Sequence, residues 1–106
     1  MSFQAQTRDF MQRHGLGHTP QTHALDLVAE IGEVAKALLE ASDYGRLPPK
    51  PGSEMTEELG DAFYSLIALA ESLDVDLEAA LKSALEKYQI RLAAHGNPGS
   101  AGSCRT

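Results

Sequence analysis

Tryptophan is absent from this sequence, and there is a single cysteine, Cys104. The lone thiol excludes an internal disulfide and the paired cysteine ligand sets of zinc and redox motifs. Valine and isoleucine together supply only six of the 106 residues, against 29 alanines and leucines. So few β-branched residues leave little from which to build a sheet, and the Ala/Leu-rich remainder favours helix. Apolar runs are short, and none approaches the roughly 18 residues of a membrane span. Met1-Ser2-Phe3-Gln4-Ala5-Gln6 lacks the basic-then-apolar layout of a signal peptide. Nine cations stand against 15 carboxylates, a formal charge of −6, without the basic stripe of a phosphate-backbone binder. These shortages predict a small, acidic, cytoplasmic all-α protein with one core and neither nucleic-acid nor membrane partner.

Punctuation along the chain divides it into four helices. Phe3, Phe10 and Met11 recur at helical spacing and Gly15 follows as a stop. After the connector His14-Gly15-Leu16-Gly17-His18, Thr19-Pro20 reads as an N-cap followed by proline at the first helical position. That second helix is expected to run to about Ala41, with Ala24, Leu27, Val28, Ile31, Val34, Ala35 and Leu38 apolar. Ser42 to Ser53 contains Gly45, Pro48, Pro49, Pro51 and Gly52 and reads as a loop between helices. A third helix, about Glu54 to Leu73, aligns Met55, Leu59, Ala62, Phe63, Leu66, Ala70 and Leu73. Asp76 is the N-cap of a fourth, which frays near Ala94. Residues 1–95 make the helical domain; Gly96 onward, rich in glycine and serine, is expected to be a flexible tail with Cys104 exposed. Helices two and three are apolar over a wider arc than a surface helix needs. A four-helix bundle completed by homo-oligomerisation is therefore the expected fold.

Charge is unevenly distributed. Between Gln21 and Glu78 there are 13 carboxylates and three cations, Lys36, Arg46 and Lys50. Glu30 and Glu33 are three apart on the second helix and share a face; Glu58 and Asp61 repeat the spacing on the third. Asp26 and Glu54 each lie one turn earlier on the same side. Antiparallel pairing of the two helices would bring these stripes together, where they repel unless a cation intervenes. Hard oxygen ligands in that number suit Mg²⁺ or Mn²⁺, which retain waters and accept substrate phosphates. Solvated helix faces also produce such pairs, so spacing alone leaves both readings open. Other acidic motifs fail. A di-iron bundle needs an acid three residues before each histidine, but those positions hold Met11, Gly15, Pro20 and Leu92. An EF-hand from Asp74 would need glycine and glutamate where Ala79 and Leu85 stand. Neither a Walker A sequence nor a His-Glu-x-x-His motif is present.

Ala29-Glu30-Ile31-Gly32-Glu33, followed after 24 residues by Glu58-Leu59-Gly60-Asp61, resembles the signature of MazG-like nucleoside triphosphate pyrophosphohydrolases. That signature is Glu-Glu-x-x-Glu and then Glu-x-x-Asp. His18 through Lys36, Glu57 through Tyr64, and Asp74-Val75-Asp76-Leu77-Glu78 are also similar to the family, so the resemblance spans roughly residues 3 to 92. It implies an all-α fold assembled as a homodimer or homotetramer. It also implies cleavage of nucleoside triphosphates to monophosphate and pyrophosphate, a nucleotide-pool house-cleaning activity. The implied ligands of Mg²⁺, with Mn²⁺ as a substitute, are Glu30, Glu33, Glu58 and Asp61. Ala29 departs from the signature, where a glutamate is usual, and leaves the general base open between Glu33 and Glu57. Lys87 and Arg91, one turn apart on the last helix, are candidates for phosphate contacts, or else form a solvated basic face. His18 is a candidate contact to base or phosphate, or else simply part of the connector. Phe10, Phe63 and Tyr64 either border a base pocket or, for the phenylalanines, belong to the core. The competing function is a non-catalytic helical oligomer that binds nucleotide or metal as a regulator or adaptor.

Overall fold

The structure, a computed structural model, describes residues 1–50 and 52–99. Its described elements are four helices: α1 (Phe3–His14), α2 (Pro20–Ala41), α3 (Ser53–Ser72) and α4 (Leu77–His95). Each boundary has a local cause. Ser2 Oγ accepts the Ala5 N–H at 3.0 Å to open α1. Gly15 closes that helix with φ +61°, a left-handed conformation glycine takes without Cβ strain, and donates its N–H to Met11 O. Thr19 caps α2 through Thr22 N–H at 3.2 Å, with Pro20 at the first helical position. Asp76 Oδ1 accepts from Glu78 and Ala79 at 3.0 and 3.3 Å to cap α4. α3 begins and ends one residue earlier than the sequence suggests, with Gly52 as a cap that supplies no side-chain acceptor. α4 reaches His95, and left-handed Gly96 ends it. Within the expected tail, Asn97 Oδ1 accepts the Gly99 N–H at 2.9 Å; Ser100 to Thr106, including Cys104, lie outside the described residues. Among the described residues, no helix is long and apolar enough to cross a membrane.

The chain falls into two compact units, Met1–Val75 and the residues from Asp76 onward. In the first, α2 and α3 form a hairpin, and α1 packs on α3. The pairing is antiparallel. Glu30 meets Glu58 and Asp61, whereas His23, earlier on α2, lines one cleft with Glu71 and Ser72, later on α3. Small residues make the seam. Ala37, Ala62, Ala68 and Ala70 are buried beside Met11, and Ile67 is the largest side chain fully enclosed. A seam of alanines permits close helix approach but removes little apolar area from water. Much of the expected apolar face is accordingly left outside: Val28, Ile31, Leu59 and Leu73 are all more than half exposed.

The phenylalanines are a correction to the core reading. Phe3 meets Phe63 edge to face at 5.7 Å between centroids, and Phe10 meets Tyr64 in the same way at 6.4 Å. These pairs hold α1 to α3, but Phe10 and Phe63 remain 49% and 45% exposed. They are a clasp across the surface, not part of the enclosed core.

Candidate functional site

The hairpin gathers three carboxylates. One oxygen each from Glu30, Glu58 and Asp61 lies within 4.8 Å of the others. Spacing of three residues places Glu58 and Asp61 on one face of α3, and antiparallel packing carries Glu30 across from α2. Glu30 and Glu58 are half-buried, and Asp61 is exposed. Glu58 is the electrostatic centre of the group. Burial raises its pKa above the ordinary carboxylate value, and the charges of Asp61, Glu33, Glu30 and Glu54 push it the same way. Among the described residues, no cation pairs with any of these carboxylates. Three hard oxygen donors at this spacing, without a protein counter-charge, are a donor set fitted to a small divalent cation.

The other sequence-derived candidates lie outside that trio. Glu33 is exposed on α2, near enough for its charge to act on Glu58. Glu57 is exposed on α3. Lys87 and Arg91 belong to the second unit. There the Lys87 ammonium lies 5.2 Å from the centroid of the Tyr88 ring, and Arg91 Nη1 donates to Pro98 O at 3.2 Å.

His18 sits on the connector between α1 and α2, at a cleft of about 300 Å³ between α1, that connector and the far end of α3. Ten residues separate Asp61 from Glu71 in that cleft, about 15 Å along the helix axis. The His18 backbone N–H donates to Nε2 of His23 at 3.1 Å, and the two rings stand 5.7 Å apart. Glu71 accepts from Arg8 Nε at 2.8 Å and from Gln4 Nε2 at 2.7 Å. Burial pushes its pKa up, but these two hydrogen bonds and the Arg8 charge outweigh that, so the carboxyl is held below the usual range. The sequence reading passed over His23, Arg8 and Glu71. The one linear clue was the pair of histidines five apart, straddling the N-cap of α2.

Residues 18–94 match the family model of the MazG nucleotide pyrophosphohydrolase domain. The chain is 36% identical over 88 residues to dCTP pyrophosphatase 1 of Mus musculus, covering 79% of this chain and 52% of that protein. It is 34% identical over 82 residues to dCTP pyrophosphatase 1 of Homo sapiens, covering 74% and 48%. It thus spans about half the length of the dCTP pyrophosphatases it matches. A crystal structure of YpjD from Bacillus subtilis superposes with a TM-score of 0.68 at 34% identity, over 83% of this chain and 90% of that one. With its helical hairpin and paired acidic motifs, the chain belongs to the MazG nucleotide pyrophosphohydrolase family.

Proposed function

We propose that the chain is a metal-dependent nucleoside triphosphate pyrophosphohydrolase that cleaves between the α and β phosphates. The observation that supports this most is the trio of Glu30, Glu58 and Asp61, with oxygens within 4.8 Å of one another and, among the described residues, no cation paired with them. Those three, with Glu33 completing the set from the exposed side, would hold Mg²⁺ or Mn²⁺. The ion, when bound, supplies neutralising charge for triphosphate oxygens and acidifies water for attack. Glu33 or Glu57 accepts the proton of that water at a carboxylate oxygen. His18 is assigned to the base or a phosphate of the substrate. The exposed apolar faces of α2 and α3 are assigned to a homodimer or homotetramer. Light scattering that returned the mass of one 11.4 kDa chain at micromolar concentration would overturn that assembly.

The relatives' name makes dCTP the first substrate to test. The experiment is a panel of standard and modified triphosphates with Mg²⁺, scored for pyrophosphate against orthophosphate. The expected result is monophosphate and pyrophosphate, abolished by chelator. Orthophosphate with a diphosphate product refutes the cleavage position. Binding of nucleotide or metal with no turnover on any triphosphate would instead establish the regulator or adaptor reading.

A further inference from the structure

The cleft between α1, the connector and the end of α3 contains a sheltered hydrogen-bond donor that the proposed chemistry leaves unused. His23 is only 4% exposed, and its Nε2 accepts the His18 N–H at 3.1 Å. A neutral imidazole that accepts through Nε2 carries its proton on Nδ1. That Nδ1–H has no partner among the described residues, where no polar side-chain atom is both fully buried and unpaired. It therefore opens onto the cleft that its ring lines. A donor in so sheltered a place calls for an acceptor.

The remaining lining defines what can supply one. Met11, 7% exposed, contributes an apolar wall. The Ser72 hydroxyl donates to Leu69 O at 2.6 Å, so its oxygen is left as an acceptor. The Gln12 amide offers one group of each kind. Glu71, kept ionised by Arg8 at 2.8 Å, balances that cation and would repel an anionic ligand. An apolar wall, mixed donors and acceptors and no net charge suit a neutral, planar, polar heterocycle. At about 300 Å³ the cleft is at the small end of ligand sites, enough for a nucleoside.

We propose that this cleft is a nucleobase site in which the His23 Nδ1–H donates to a ring nitrogen or carbonyl of the base. The choice of a nucleobase among polar heterocycles rests on the nucleotide chemistry proposed above. The base belongs either to the triphosphate held at the acidic trio or to a separate nucleoside.

The test is an NMR titration of the full chain, labelled with ¹⁵N at histidine, with nucleosides of the common bases in the presence of chelator. The expected result is a saturable shift of the His23 Nδ1 signal with at least one nucleoside. His23→Gln places a carbonyl where Nε2 stood and keeps the His18 bond, but has no N–H at the Nδ1 position; it should weaken binding about tenfold. His23→Asn keeps an N–H near the Nδ1 position and should retain binding. No shift of His23 at millimolar nucleoside overturns the proposal on the wild-type protein alone, whatever the variants' stability. Nucleoside binding by His23→Gln as tight as wild type overturns it too. A nucleoside that raises KM for triphosphate hydrolysis identifies the cleft with the substrate's own base, and one that leaves hydrolysis unchanged identifies a separate nucleoside. Nucleoside binding without hydrolysis of any triphosphate retains the cleft and removes the enzyme reading. Hydrolysis with a silent cleft does the reverse.

Discussion

Glu58 and Glu71 stand on the same helix, about 20 Å apart along its axis, and their surroundings act on them in opposite directions. Glu58 is grouped with Glu30 and Asp61 and, among the described residues, has no cation partner; its carboxyl is pushed up by burial and like charge. Glu71 is also partly buried, but Arg8 and Gln4 each donate to one of its oxygens, and it is held down. The same hairpin thus contains an anchor whose charge is satisfied within the protein and a cluster whose charge is not. A satisfied pair strengthens the fold, whereas an unsatisfied cluster costs stability until something outside the chain binds it. That contrast separates the structural acid from the proposed metal ligands better than exposure does.

The largest expected effect comes from breaking the cluster. Glu58→Gln keeps the side-chain shape but removes a charge and a proposed metal ligand. Hydrolysis should fall by orders of magnitude, while the metal-free melting temperature stays level or rises. Mg²⁺ at about 100 times its Kd should stabilise the wild type by about 2.7 kcal/mol, and this stabilisation should shrink in Glu58→Gln. Melts with and without Mg²⁺, paired with a pyrophosphate assay, check both. An active variant with an unchanged metal response would remove Glu58 from the site.

Titration sharpens the contrast with a smaller effect. Glu71 has a folded pKa below its unfolded value, so its contribution is present above the unfolded value and is lost as pH falls through the folded one. Glu58 has the opposite sign: its raised pKa favours the folded state in acid, and that advantage disappears as pH rises through the folded value. Metal-free denaturation followed from neutral pH into the carboxylate range should show Glu71→Gln flattening the acid-side loss, by about 1 kcal/mol for an ion pair whose Arg8 side is half exposed. Glu58→Gln should instead remove a gain just above the ordinary carboxylate range. Acid limbs that coincide for both variants would erase the distinction between the two ends.

The smallest effect concerns the glycines inside the two acidic motifs, Gly32 and Gly60. Each lies mid-helix, and an added Cβ at either position would meet nothing within 4 Å. Gly32→Ala and Gly60→Ala should each stabilise the metal-free chain by about 0.5 kcal/mol, measured by urea denaturation. Destabilisation by either would mean that another molecule packs there.

What was legible in the sequence was what is encoded locally. Thr19-Pro20, Asp76 and Gly15 mark helix ends because a cap is satisfied within a few residues. Glu58 and Asp61 share a face because helical spacing alone dictates it, and the helix pairing then brought Glu30 to them. His23 was illegible because its burial depends on α1 and the end of α3, and its partner is a backbone N–H without a sequence signature. The Glu71 anchor joins residues 63 and 67 positions apart, beyond any periodicity. The aromatic residues misled for a related reason. Helical spacing predicted the face they lie on but not how shallow the α1–α3 contact is.

The mode of attachment of α1 also sets an order in time. The α2–α3 hairpin closes across a short loop, whereas α1 is held by the Phe3–Phe63 clasp, the Arg8–Glu71 pair and Gln4 donating to Val75 O at 2.7 Å, 71 residues away. Closing the longer span costs more chain entropy, so the hairpin is expected to form first and α1 to dock on it. Weakening the clasp should then accelerate unfolding more than it slows folding. Amide exchange should show α1 opening while α2 and α3 stay protected. Such openings would expose the His23 cleft and leave Glu30, Glu58 and Asp61 assembled.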